Sequence, residues 1–309
     1  HAHVTPVFKK GSKHVAANYR PVSLTTVCCK LLEHILCSHI MKHLELYSIL
    51  TPLQHGFRTG HSCETQLAIT MHDLMKTFDE KIQTDMLVLD FSKAFDTVPH
   101  NKLLHKLENY GLRGNIGRWI ASFLENRSQQ VLVEGESSYL CSVQSGVPQG
   151  TVLGPLLFLL HINDLPSAFS AKTRLFADDC LLLNNIKSKE DQLQLQTDLI
   201  SLETWAQKWG MKFNATKCYK IEISRTKTPL HFDYVLDEHH LQQVPESPYL
   251  GLTIHETLKW QKHIENVCTK ANSSLGFIRR NLRHCHRSLK ETAYFSLVRS
   301  QLEYSCTIW

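Results

Sequence analysis

Apolar residues along this chain come in short runs separated by polar turns, and helical spacing is confined to separate stretches. Residues 84–90 (TDMLVLD) form an apolar run closed by an acid, the pattern of a buried strand that delivers a carboxylate at its C-terminal tip. Pro99 stands where a helix would begin; Leu103, Leu104 and Leu107 give it an apolar stripe and Gly111 ends it. A second helix carries Ile116, Trp119, Ile120 and Phe123 on one face. Residues 129–143 alternate around Gly135-Glu136-Ser137, which predicts a hairpin. The glycine- and proline-rich turn 146–150 then leads into residues 152–162, the longest apolar stretch. Gly154, Pro155 and His161 interrupt it, and it falls short of the roughly 18 residues of a membrane span, so it reads as a buried helix.

Residues 172–184 predict the most informative hairpin, because its apolar arms TRLF and CLLL meet at Ala177-Asp178-Asp179. Ser188 with Asp191 resembles a capping box for a long helix that runs to Trp209 and stops at Gly210. Strands are expected at 218–223 and 249–254. Beyond Lys259 the spacing turns helical again, with Trp260, Ile264, Val267, Ala271, Leu275 and Ile278 on one stripe and a last helix over 289–302. Runs of strands and helices without strict alternation make the fold class α+β.

With 309 residues, 42% hydrophobic and 20% charged, the chain is globular in composition and long enough for two or three packed subdomains. The 10 cysteines show no regular spacing, which predicts free thiols in a reducing compartment. No signal-peptide pattern follows His1, so an intracellular site, nucleus or cytoplasm, is expected, with no membrane partner. A net charge of +5 is mild, but its distribution is uneven. Lys259, Lys262, Lys270, Arg279, Arg280, Arg283, Arg287, Lys290 and Arg299 face only Glu265 and Glu291 in the C-terminal stretch. Lys9, Lys10, Lys13, Arg20 and Lys30 precede the first acid, Glu33, while acids outnumber bases between these ends. Two basic ends suit a polyanionic partner.

Asp90, Asp178 and Asp179 each close or open an apolar strand, where a carboxylate is costly unless something positive offsets it. Adjacent aspartates raise each other's pKa unless a cation lies between them. Hard oxygen donors favour magnesium or manganese over zinc. Two such ions roughly 3.5–4 Å apart can activate a hydroxyl and stabilise a leaving pyrophosphate, which is polymerase chemistry. Asp96 and Asp164 read instead as cap or turn residues. His284-Cys285-His286 is too compact for a zinc site, so no zinc is expected.

The segment DFSKAFD beginning at Asp90 resembles the first catalytic motif of reverse transcriptases, SGVPQGTVLGP from Ser145 the second, and FADD from Phe176 the third. NYRPVSL from Asn18, FRTGHSC from Phe57, NATK from Asn214 and YLGLTI from Tyr249 fall in the order of the family's remaining blocks. The wording is similar to the jockey and CR1-like branch of non-LTR (LINE-type) retrotransposons. The resemblance implies a right-hand polymerase: fingers and a palm of ferredoxin-like sheet and flanking helices over residues 1–257, and a helical thumb, truncated, over 258–309. It implies an RNA-directed DNA polymerase acting on an RNA template, a DNA primer and dNTPs with two Mg2+ ions, for which Mn2+ can substitute. The endonuclease and N-terminal extension of such elements are missing, so an inert fragment or a nucleic-acid-binding scaffold is the competing expectation.

The same resemblance distributes roles. Asp90, Asp178 and Asp179 would be catalytic and metal-binding, with the Phe91 carbonyl as a further ligand. Phe95 would lie under the sugar, where a bulky ring excludes a ribose 2′-hydroxyl; core packing is its plainer reading. Gln149 would contact the incoming nucleotide, and Arg20 with Lys9 or Lys10 would grip the triphosphate. Lys217 would protonate the leaving pyrophosphate, against the plainer reading of a surface lysine. Tyr249, Leu250 and Gly251 resemble a primer grip, and Lys259, Lys262, Lys270, Arg279 and Arg280 would lie along the duplex backbone.

Overall fold

The computed structural model describes residues 1–226 and 228–309. Its centre is a five-stranded sheet in the order Gln242–Gln243, Tyr219–Ile223, Gln83–Asp90, Asp179–Ile186, Lys172–Phe176. The central strand Gln83–Asp90 runs antiparallel to both neighbours, pairing Leu87 with Leu182 on one side and with Lys220 on the other. Both faces of the sheet are covered, which is why this strand is nearly continuously apolar. Leu87 and Leu89 point into one core with Leu182, Leu195 and Leu199. Met86 points the opposite way, onto Leu67, Met71 and Leu74 of the helix Cys63–Asp79.

The helix Leu153–Ile162 lies within the larger core, and every residue in it except Pro155 is buried. The helices His100–Asn109 and Gly114–Leu124 add Leu103, Leu107 and Ile120 to that core. The capping box at Ser188 and Asp191 opens the helix Lys189–Trp209, which ends on Gly210 in the left-handed region. A second sheet is built on Ala2–Phe8, antiparallel to Tyr19–Leu24 and parallel to Arg127–Val133.

Residues 249–254 depart from the expected single strand. They straddle a hairpin of Glu246–Tyr249 and Leu252–His255, with Leu250 at φ 45° and Gly251 at φ 85° in its turn. Two successive left-handed residues make the tight turn that matches strand twist, and the apolar run simply continues across it. The expected helix over 289–302 is Arg287–Tyr294, followed by a wider π turn at Phe295–Arg299 and a short helical end at Ser300–Leu302. It packs on Gln261–Asn281 through Ala271, Ile278 and Val298, a far smaller core than that of the sheet. Among the described residues no helix is long and apolar enough to cross a membrane, and the cysteines are free thiols.

Candidate active site

The sheet register sets the site. Asp90 is the last residue of its strand and Asp179 the first of the next, and the two stand directly opposite one another. Asp178 lies in the two-residue turn that joins Phe176 to Asp179. Ala177, its partner in that turn, is left-handed at φ 52°. Asp90 and Asp178 border a cavity of about 470 Å3, whose other walls include Lys9, Arg20, Phe95, Gln149 and Lys217. Strand ends, a hairpin turn, the N-terminal strands and the 146–150 turn therefore converge on one space.

Burial pushes the Asp178 carboxyl up, and the Asp90 charge adds to this against the pull of Lys9 and Arg20. Asp179 is pushed up to about 6, first by burial and then by the charges of Asp178 and Asp90. Three carboxylates are thus held together with less positive charge than they can use. Among the described residues, no three His, Cys, Asp or Glu side chains form a preformed ion cage. All-oxygen donors that do not close a cage suit a hard divalent cation that keeps water and shares substrate phosphates. In donor chemistry alone, the carboxylates of Asp90, Asp178 and Asp179 are of the kind such an ion takes.

The turn Ala215–Lys217 is tied to the same strand end. Asn214 N–H donates to the Asp90 carbonyl at 2.8 Å, and Lys217 Nζ reaches Asp90 Oδ2 at 3.0 Å. Phe95 stacks on Phe158, 4.4 Å between ring centres, and meets Phe57 edge-on at 6.4 Å. It is both packed and part of the cavity wall. Phe91 buries its ring against Phe213, 4.4 Å away, while still bordering the cavity.

The 146–150 turn is fastened on both sides. Gly146 N–H donates to the Val98 carbonyl at 2.8 Å, and a Cβ on Gly146 would come within 2.7 Å of the Asp96 carbonyl oxygen, so only glycine allows this approach. On the other side Ser23 N–H donates to the Gln149 carbonyl at 2.8 Å. The Gln149 side chain donates through Nε2 to Asp96 Oδ1 at 3.0 Å. This corrects the reading of Asp96 as a cap or turn residue: it borders the cavity, and burial raises its pKa. Asp164 does stand at the cap position of the short helix Leu165–Ala168, and its carboxylate also accepts from the buried Lys106 ammonium and from Trp205 Nε1.

Of the two N-terminal lysines, Lys9 borders the cavity and Lys10 is exposed outside it. Tyr249 is only 3% exposed, and Gln66 Nε2 donates to its hydroxyl at 3.3 Å. Its ring belongs to the core beneath the sheet, Leu250 packs half-buried on the same core, and Gly251 is the exposed part of that turn. Lys259, Lys262, Lys270, Arg279 and Arg280 are all exposed. No motif or periodicity pointed to Gln54, which is buried and bonded to the Ala177 peptide beside the aspartates. Only its closeness to the FRTGHSC segment could have drawn attention to it.

The family model described as "Reverse transcriptase (RNA-dependent DNA polymerase)" matches residues 7–254. The chain is 28% identical over 306 residues to a probable RNA-directed DNA polymerase from transposon X-element of Drosophila melanogaster, covering 95% of this chain and 33% of that protein. It is 30% identical over 268 residues to the corresponding protein of transposon BS of the same organism, covering 80% and 28%. With the RNA-directed DNA polymerase from mobile element jockey of Drosophila funebris the identity is 29% over 279 residues, covering 86% and 30%. The chain thus spans about a third of the length of these relatives. Among solved structures it is similar in fold to apo telomerase from Candida tropicalis, with a TM-score of 0.56 at 14% identity over 94% of this chain and 57% of that one.

Proposed function

Because this chain belongs to the reverse transcriptase (RNA-dependent DNA polymerase) family, we propose that it extends a DNA primer on an RNA template by nucleotidyl transfer from dNTPs. The observation that carries this reading is the register pairing of Asp90 with Asp179, which brings Asp90 and Asp178 to the wall of a cavity shared with Lys9, Arg20, Gln149 and Lys217, with Asp179 directly opposite Asp90. In this reading residues 1–257 are fingers and palm, and residues 258–309 are a helical thumb. Asp90, Asp178 and Asp179 hold two Mg2+ ions, with the Phe91 carbonyl as a further donor and Mn2+ as a substitute. When bound, such ions lower the pKa of a primer 3′-hydroxyl and neutralise charge on the phosphates.

The remaining work falls to the chain's own side chains. Arg20 and Lys9 orient the triphosphate, the guanidinium by paired bonds to phosphate oxygens. Gln149, held by Asp96, faces the nucleotide sugar, and Phe95 closes the space a 2′-hydroxyl would need. Lys217, already turned into the site by the 214–217 turn, delivers a proton to the departing pyrophosphate. Leu250 and Gly251 steady the primer strand, while Lys259, Lys262, Lys270, Arg279 and Arg280 meet duplex phosphates.

Incubating the chain with a DNA primer annealed to RNA, labelled dNTPs and Mg2+ tests this reading. Primer extension with dNTPs and little with rNTPs is expected. Tight, salt-sensitive binding without extension would favour a nucleic-acid-binding scaffold instead.

A further inference from the structure

The hairpin that carries Asp178 and Asp179 does not hold its own turn. Ala177 adopts φ 52°, in the left-handed region where a side chain is disfavoured. Something outside the hairpin must stabilise it. The segment 53–57 lies alongside: Leu175 N–H donates to the Leu53 carbonyl at 3.0 Å, and His55 N–H donates to the Leu175 carbonyl at 2.9 Å. At the end of this pairing Gln54, only 3% exposed, closes on the Ala177 peptide. Its Oε1 accepts from Ala177 N–H at 2.9 Å and from Gly56 N–H at 2.7 Å. Its Nε2 donates to the Ala177 carbonyl at 3.3 Å. Both backbone polar groups of the left-handed residue are therefore satisfied by one side chain.

Gly56 is fitted to the same contact from the other side. A Cβ at Gly56 would lie 2.3 Å from the Ala177 nitrogen and 3.0 Å from its Cα, against backbone that cannot swing aside. The chain passes this close to the turn only because residue 56 has no side chain. Gln54 and Gly56 touch neither the cavity nor its cations, since neither is among the residues that border it.

We propose that Gln54, seated by Gly56, is a positioning residue that fixes the Ala177-Asp178 turn at the height where Asp178 and Asp179 can share a divalent cation. This rests on the proposed polymerase site. Releasing the clamp lets Ala177 relax out of the left-handed region and carries Asp178 away from Asp90. Metal affinity then falls while duplex binding, which uses other surfaces, does not.

Two measurements on the full chain with primer–template bound test this. The first is Mn2+ affinity by electron paramagnetic resonance; the second is the Mg2+ concentration for half-maximal primer extension. Gln54→Ala and Gly56→Ala are each expected to weaken Mn2+ binding and raise the Mg2+ requirement about tenfold, with primer–template affinity unchanged. Adding Ala177→Gly to Gln54→Ala should recover most of the loss, because glycine holds that φ without a clamp. Glycine at this φ relieves strain and recovers stability too, so an unchanged melting temperature in Gln54→Ala is what separates positioning from a general loss of stability. If the native chain extends primers and both variants keep its metal dependence, the clamp has no such role. If the native chain extends nothing, the polymerase reading fails, and Mn2+ affinity alone then decides: a loss in the variants supports the clamp, and equal or absent binding overturns it.

Discussion

The strand Gln83–Asp90 carries an aspartate near each end, and the two belong to acidic clusters of opposite construction. Asp85 is fully buried, accepting from Gln83 Nε2 at 2.8 Å and from the Tyr234 hydroxyl at 2.6 Å. Across the sheet Glu222 pairs with Lys220 Nζ at 2.7 Å, with His231 Nδ1 at 2.6 Å and with Gln243 Nε2 at 2.9 Å. Every member of that group has its partner within the protein. At the other end Asp90 has one oxygen against Lys217, whose side chain is half exposed, and its neighbours Asp178 and Asp179 add only repulsion. A closed cluster clips chain to chain, here the 230–234 segment onto the sheet; an open one leaves charge for something that arrives from outside.

That contrast can be broken most sharply at Lys220. Lys220→Met leaves Glu222 buried without its ammonium, and a loss of about 3–5 kcal/mol is expected in urea unfolding. Asp179→Asn in the open cluster should cost no stability and at neutral pH should raise it, because it removes repulsion rather than a partner. Similar losses for both substitutions would erase the distinction. Tyr234→Phe removes the hydroxyl that Asp85 accepts from and should cost about 1–3 kcal/mol by the same assay. Lys217→Ala breaks only a partly exposed pair, so its stability cost should stay below about 1 kcal/mol. Its extension rate, in contrast, should fall on the order of 10²-fold if the ammonium donates the proton.

The smallest effect concerns pH. Asp179 is raised from an ordinary 3.8 to about 6 in the folded chain, so the folded state holds its proton more tightly than the unfolded one. Its contribution to stability is complete below about pH 4 and is lost as the pH rises through about 6, provided no metal is bound. Thermal melting between these values should show that slope in the native chain and a flatter one in Asp179→Asn. Metal binding must displace the same proton, so Mn2+ affinity should fall as the pH drops below about 6.

Much of this was legible in the residues. The strand ending in Asp90, the hairpin around Asp178 and the buried helix at 153–162 each carry a local signal: apolar period, turn chemistry, or length. What escaped depends on partners distant in the chain. Asp85 is closed by Tyr234, 149 residues away, and Ala177 is held by Gln54, 123 residues away. No periodicity reports such pairings. Asp96 looked like a helix-start residue because its partner Gln149 lies in another motif. Lys9 and Lys10 could be told apart only once the strand Ala2–Phe8 and its pairing fixed where residue 9 emerges. The break at residues 250–251 escaped because a tight turn hides inside an unbroken apolar run.

Primer extension by the double variant Asp178→Asn, Asp179→Asn, read beside its melting temperature, addresses the open cluster most directly. Extension should vanish while the melting temperature holds or rises and primer–template binding persists. Extension at the native rate, or a collapse of the fold to match the lost activity, would mean that these carboxylates are structural after all.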